Sequence, residues 1–150
     1  MDVVIGIGNE LRGDDGVGLR VVRGLPSRPY VTTVAVHQLT PDLAELLSEA
    51  ERVLFVDAHA RATTLQLQAV APSEFAGGIG HSVVPGTLLA WTAALSGRVP
   101  EGWVLGIPAQ TFDVGEELSP EAERAVPAAR RAVLKWLDRA GDPLRDEEDA

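Results

Sequence analysis

The chain has 150 residues, 45% of them hydrophobic, with a formal net charge of −9 and no cysteine. This suits one domain with a single core, and the absence of cysteine excludes disulfides, thiolate metal sites and a cysteine nucleophile together. The acidic balance argues against nucleic acid as a partner, since phosphate binding needs a basic footprint. No apolar run approaches the ~20 residues that cross a bilayer, so no membrane association is expected. Met1-Asp2-Val3 has no basic segment ahead of its short apolar stretch, which predicts no signal peptide and a cytoplasmic location.

Val3-Val4-Ile5 belongs to a buried strand over residues 3–7, β-branched and continuously apolar. A glycine-rich turn follows (Gly6, Gly8, Gly13), and then two adjacent carboxylates, Asp14 and Asp15, stand where a helix begins. That helix is predicted from about Asp15 to Leu25, with Val17, Val21, Val22 and Leu25 on one stripe. Asp14 and Asp15 suit its N-terminus as caps and as partners of the helix dipole. Val31 to Val36 reads as a second strand, and Thr40-Pro41-Asp42 as a second helix start that leads to Leu43, Leu46, Leu47 and Ala50. Val53 to Val56 is a third buried strand, ending on Asp57. The order βαβαβ predicts a largely parallel sheet.

Thr64 to Val70 alternates as a half-exposed edge strand. It follows Asp57 too closely for a helical crossover, so an antiparallel pairing is expected. Residues 71–83 form a glycine-rich loop, and loops of that length are usually functional or mobile. A helix is predicted from about Pro85 to Ser96, stopped by Gly97. Trp103 to Ile107 is a further strand, and Ser119-Pro120 opens a last helix in which Pro127 should introduce a kink. The whole is a three-layer α/β domain over residues 1–140. The remaining residues, 141–150, carry five acids (Asp142, Asp146, Glu147, Glu148, Asp149) against Arg145 and read as a solvated, flexible acidic tail.

Three chemistries suggest themselves. Gly6-x-Gly8 after a strand invites a dinucleotide, but Leu11 stands where the third glycine belongs, and no Walker lysine is present. Two carboxylates at the helix start would also repel phosphate, at several kcal/mol for each like-charge pair ~4 Å apart. A serine triad fits poorly, because Ser73, Ser82 and Ser96 lack a nucleophile-elbow context. A metal site fits best. Asp15 follows the first strand, Asp57 ends the third, and His81 lies in the loop before the helix at Pro85. In a parallel sheet all three come to the same carboxyl edge. Two carboxylates and an imidazole suit a divalent Zn, Ni, Mn or Co ion with open positions for water or substrate. Each residue also has a duller reading, as a cap, a strand end or a surface histidine. His37, ending the second strand, and His59, in Asp57-x-His59, remain open as additional members.

The stretch GIGNELRGDDGVG, residues 6–18 with the preceding strand, resembles the N-terminal motif of the hydrogenase maturation endopeptidases, which trim the large subunit of nickel–iron hydrogenases. VLFVDA (53–58), GHSVVPGTLLAWTAAL (80–95) and ELSPEAERAVPAARRAVLKWL (117–137) are similar to the family's later segments. The resemblance implies a mostly parallel twisted sheet of about five strands, flanked by helices on both faces in the manner of a three-layer sandwich. It implies a single cut that releases a C-terminal extension from the large-subunit precursor after nickel insertion. Asp15, Asp57 and His81 would match the family's nickel-binding and catalytic positions. The nickel would be supplied by the substrate, Zn or Cd standing in for it in vitro, and the enzyme would act as a monomer. The scissile peptide is expected beside Gly8-Asn9, with the turn amides binding substrate backbone. The chain departs from the family pattern where Ala35-Val36-His37-Gln38 replaces an Asp-Gly pair, and where Ser82-Val83-Val84-Pro85 follows the histidine. The competing readings are a non-catalytic, metal-dependent chaperone for the large subunit and, further off, a nucleotide-binding domain.

Overall fold

A computed structural model describes residues 1–73 and 83–139 of the chain. A five-stranded sheet runs through the middle in the order β2-β1-β3-β5-β4. Its strands are β1 (Asp2–Ile7), β2 (Val31–Val36), β3 (Arg52–His59), β4 (Gln66–Val70) and β5 (Glu101–Pro108). β2, β1, β3 and β5 are parallel. β4 pairs with β5 antiparallel at the far edge, as the short connection requires.

Both faces of the sheet are covered, because the central strands present apolar side chains alternately to each side. On one face α1 (Val17–Arg23) and α4 (Pro120–Asp138) close over Val4, Leu54, Val56 and Leu105, with Trp136, Val133 and Val21 inside. On the other, α2 (Leu43–Leu47) and α3 (Pro85–Ser96) close over Val3, Ile5, Val53 and Phe55 with Leu47, Leu88 and Leu89. The expected three-layer α/β sandwich is therefore present. No helix among the described residues is long and apolar enough to cross a membrane.

Several boundaries differ from the sequence expectation. The helix predicted from Asp15 begins only at Val17, after a 3₁₀ turn over Gly13–Gly16, and neither start carries a side-chain cap. Asp14 and Asp15 are thus not the caps they resemble. α2 is shorter than its start signal suggested, with Thr40 and Pro41 accepting turn bonds from Leu43 and Ala44. β3 does not end at Asp57. It continues to His59, because its ladder with β5 runs on to Pro108. Ser119 does cap α4, its hydroxyl accepting from Ala122 N at 3.2 Å. The helix runs unbroken through Pro127, which is exposed on its outer side. Gly97 ends α3 at φ 73°, where a side chain would be strained. His81, most of the predicted loop 71–83 and the acidic tail 141–150 lie outside the described residues.

Candidate metal site

Two glycines bring the end of β1 against the turn that follows it. Gly8 has φ +153°, and a Cβ there would lie 1.8 Å from the carbonyl oxygen of Asp15. A Cβ on Gly18 would meet the Val56 carbonyl oxygen at 2.4 Å. Only bare backbone lets the start of α1 press onto the ends of β1 and β3 this closely, and that close approach carries Asp15 toward Asp57.

Asp15 and Asp57 line one cavity of about 370 Å³ at the carboxyl edge of the sheet, with Gly8, Asn9, Arg12 and His37 among its walls. This is where ligands sit in open parallel sheets. Asp15 Oδ2 accepts from Asn9 N at 2.9 Å, which fixes its direction. Asp57 Oδ1 accepts from Ala58 N at 2.8 Å. Burial pushes the Asp57 carboxyl up to about 6. The Ala58 amide opposes that rise, and the Asp15 charge adds to it. Two acids in one recess, one of them resisting ionisation, form a donor pair that a divalent cation would stabilise.

Among the described residues, no group of three or more His, Asp or Glu side chains is placed to hold a metal ion. The structure brings together the two predicted acids, while the predicted imidazole, His81, lies outside the described residues. Of the two open candidates, His37 lines the cavity. His59 does not. Its ring lies over Gly106 of β5, and its Nδ1 accepts from Arg61 N at 3.2 Å. Gly8-Asn9 cannot offer its amides to substrate as expected: Gly8 N donates to Val36 O at 3.0 Å and Asn9 N to Asp15. The turn uses them to hold its own shape.

Sequence reasoning missed two residues. Arg12 lines the cavity, and no ion pair engages it among the described residues. Asp14, fully buried, is a structural latch. Its Oδ2 accepts from Gln110 N (2.6 Å), Thr111 N (3.1 Å) and Ser119 Oγ (2.7 Å), and its Oδ1 from Ser119 N (2.6 Å). Burial raises the Asp14 carboxyl, yet these donors outweigh it and leave it below the ordinary value. The latch ties the motif turn to the segment between β5 and α4, which in turn holds Asp15 in the crevice. The pairing of two adjacent acids was its only sequence signal.

An α/β domain with acids gathered at the carboxyl edge of its sheet is the class defined so far. No family model matches the chain, and no curated protein does. Solved structures do match it. The hydrogenase maturating endopeptidase HybD from E. coli superimposes with a TM-score of 0.75 over 93% of each chain, at 20% identity. The hydrogenase 2 maturation peptidase from a Thaumarchaeota archaeon is 26% identical over 91% of this chain and 97% of its own, with a TM-score of 0.66. The [NiFe] hydrogenase maturation protease HycI from Thermococcus kodakarensis reaches 0.70 at 18% identity, over 92% of each chain. These likenesses show the fold, an α/β domain that the chain shares with solved hydrogenase maturation endopeptidases.

Proposed function

We propose that this protein is an endopeptidase that removes the C-terminal extension of a nickel–iron hydrogenase large-subunit precursor after nickel has been inserted. One observation carries the reading: Asp15 and Asp57 face one recess at the carboxyl edge of a sheet with this fold, and no ion pair neutralises either of them among the described residues. With His81 they would engage the nickel that the precursor brings, while the precursor's own ligands complete the coordination. A recess with few protein donors suits a metal that arrives with the substrate, and Zn or Cd would stand in for it in vitro. Metal bound there would place the adjoining peptide against Asp15 and Asp57. Asn9 keeps Asp15 aimed into the recess. The enzyme works in the cytoplasm as a monomer, with the precursor as its one macromolecular partner.

The test is to incubate the protein with nickel-loaded and nickel-free precursor and follow the large subunit by mass. Shortening of the loaded form alone is expected. Binding without cutting would make the protein a chaperone, and equal cutting of both forms would remove the metal from recognition.

A further inference from the structure

We propose that the outer edge of β2 is a docking strand, to which an extended segment of the substrate polypeptide adds before entering the crevice. This rests on the endopeptidase reading and goes beyond it by naming the surface that holds the peptide.

β2 lies at one edge of the sheet and has a single ladder, to β1. Two bonds fix which way its backbone faces. Asp2 N donates to Tyr30 O at 2.9 Å, and Gly8 N to Val36 O at 3.0 Å. Because peptide groups alternate along a strand, residues 30, 32, 34 and 36 turn toward β1 and residues 31, 33 and 35 turn outward. The Val31 amide is taken by Arg28 O at 3.3 Å. The amides and carbonyls of Thr33 and Ala35 are left facing away from the sheet, and both residues are exposed.

Natural edges are usually blunted by lysine, proline, bulges or a covering element. The sequence of β2, VTTVAV, has no charge and no proline, and its ladder to β1 is unbroken over six residue pairs. The small outward residues Thr33 and Ala35 leave room for another backbone. β4, at the other edge, is equally uncharged. What separates the two edges is where they lead. The residues directly after β2, His37, Gln38 and Leu39, are walls of the cavity that holds Asp15 and Asp57, whereas no residue of β4 lines it. A peptidase must hold its substrate extended, and strand addition supplies backbone bonds that do so whatever the side chains. A segment paired along β2 spans ~20 Å at about 3.3 Å per residue and reaches the crevice at its carboxyl end.

The test is hydrogen exchange, pulse-labelled during turnover with saturating nickel-loaded large-subunit precursor. The Thr33 and Ala35 amides should exchange fast in the free protein and slow at least about tenfold with precursor. The Thr32 and Val34 amides, already bonded to β1, serve as internal reference. Ala35→Pro deletes one outward N–H and spares the β1 ladder, since proline is tolerated at an edge position that points outward. It should raise KM roughly tenfold, the value of one lost hydrogen bond, with kcat unchanged. Ala35→Lys, which keeps the backbone intact, should raise KM in the same direction. Precursor that is cut while Thr33 and Ala35 stay unprotected overturns the docking strand and leaves the endopeptidase reading standing. Precursor that is neither bound nor cut overturns both. Protection without precursor that grows with protein concentration shows a second copy on this edge, and it overturns the proposal too.

Discussion

The two ends of the sheet treat charge in opposite ways. At the amino ends of the strands, Asp2 and Arg52 are register partners on β1 and β3. The Arg52 guanidinium donates to Asp2 Oδ2 at 2.5 Å and to Trp136 O at 2.9 Å, and lies 4.2 Å over the Trp136 ring. At the carboxyl ends, Asp15 and Asp57 share a recess with no ion pair to either among the described residues. Buried charge that is fully matched belongs to the framework. Charge left unmatched in a cleft destabilises the fold and marks the place where something charged must bind. Asp14 makes the contrast sharpest. It adjoins Asp15 in the chain, yet it is buried and satisfied by four donors.

The largest expected effects come from the unmatched end. Asp15→Asn and Asp57→Asn should each lower cleavage of nickel-loaded precursor at least about 100-fold, as loss of a preorganised electrostatic group at a reacting centre does, with circular dichroism unchanged. Near-wild-type cleavage by either would take that residue out of the site. Next in size is the latch. Asp14→Ala removes the buried acceptor of the Gln110, Thr111 and Ser119 amides and should cost about 2–3 kcal/mol in urea unfolding. A loss below about 1 kcal/mol would show that water replaces the carboxylate.

The two ends should also respond oppositely to a conservative change. Asp57→Asn removes a carboxyl whose ionisation the fold resists, so at pH 7 it should stabilise the metal-free protein by about 1–3 kcal/mol even as it abolishes activity. Arg52→Met leaves Asp2 without its partner and should destabilise. The pH series follows the same logic. Asp57 is raised from 3.8 to about 6, so its stabilising contribution is complete below 3.8 and is lost as pH rises through about 6. Asp14 is lowered, so its contribution is present above 3.8 and is lost as pH falls. In Asp57→Asn the decline between about pH 4 and 6 should vanish, leaving the acid-side loss. At the small end, Glu10→Gln breaks an exposed pair with Arg23 and should change stability by less than about 1 kcal/mol.

Much of this contrast is legible in the sequence, because apolar runs, prolines and glycines punctuate the strands and helices. Asp15 and Asp57 follow from their positions after β1 and late in β3. What could not be read was division of labour within the turn. Asp14 and Asp15 look alike locally, and the donors that hold Asp14 lie 96 to 105 residues away. The Gly8 and Asn9 amides looked available because nothing in the sequence shows that Val36 and Asp15 take them. Arg12 escaped notice because a lone arginine in a turn has no periodicity to betray it.

The most direct test of the account is a crystal grown with cadmium, a divalent ion that accepts both carboxylate and imidazole. The ion should lie between the carboxylates of Asp15 and Asp57, with the His81 imidazole completing the set. Cadmium held by other side chains, with those two carboxylates free of it, would contradict the claim that this recess is the metal-reading centre.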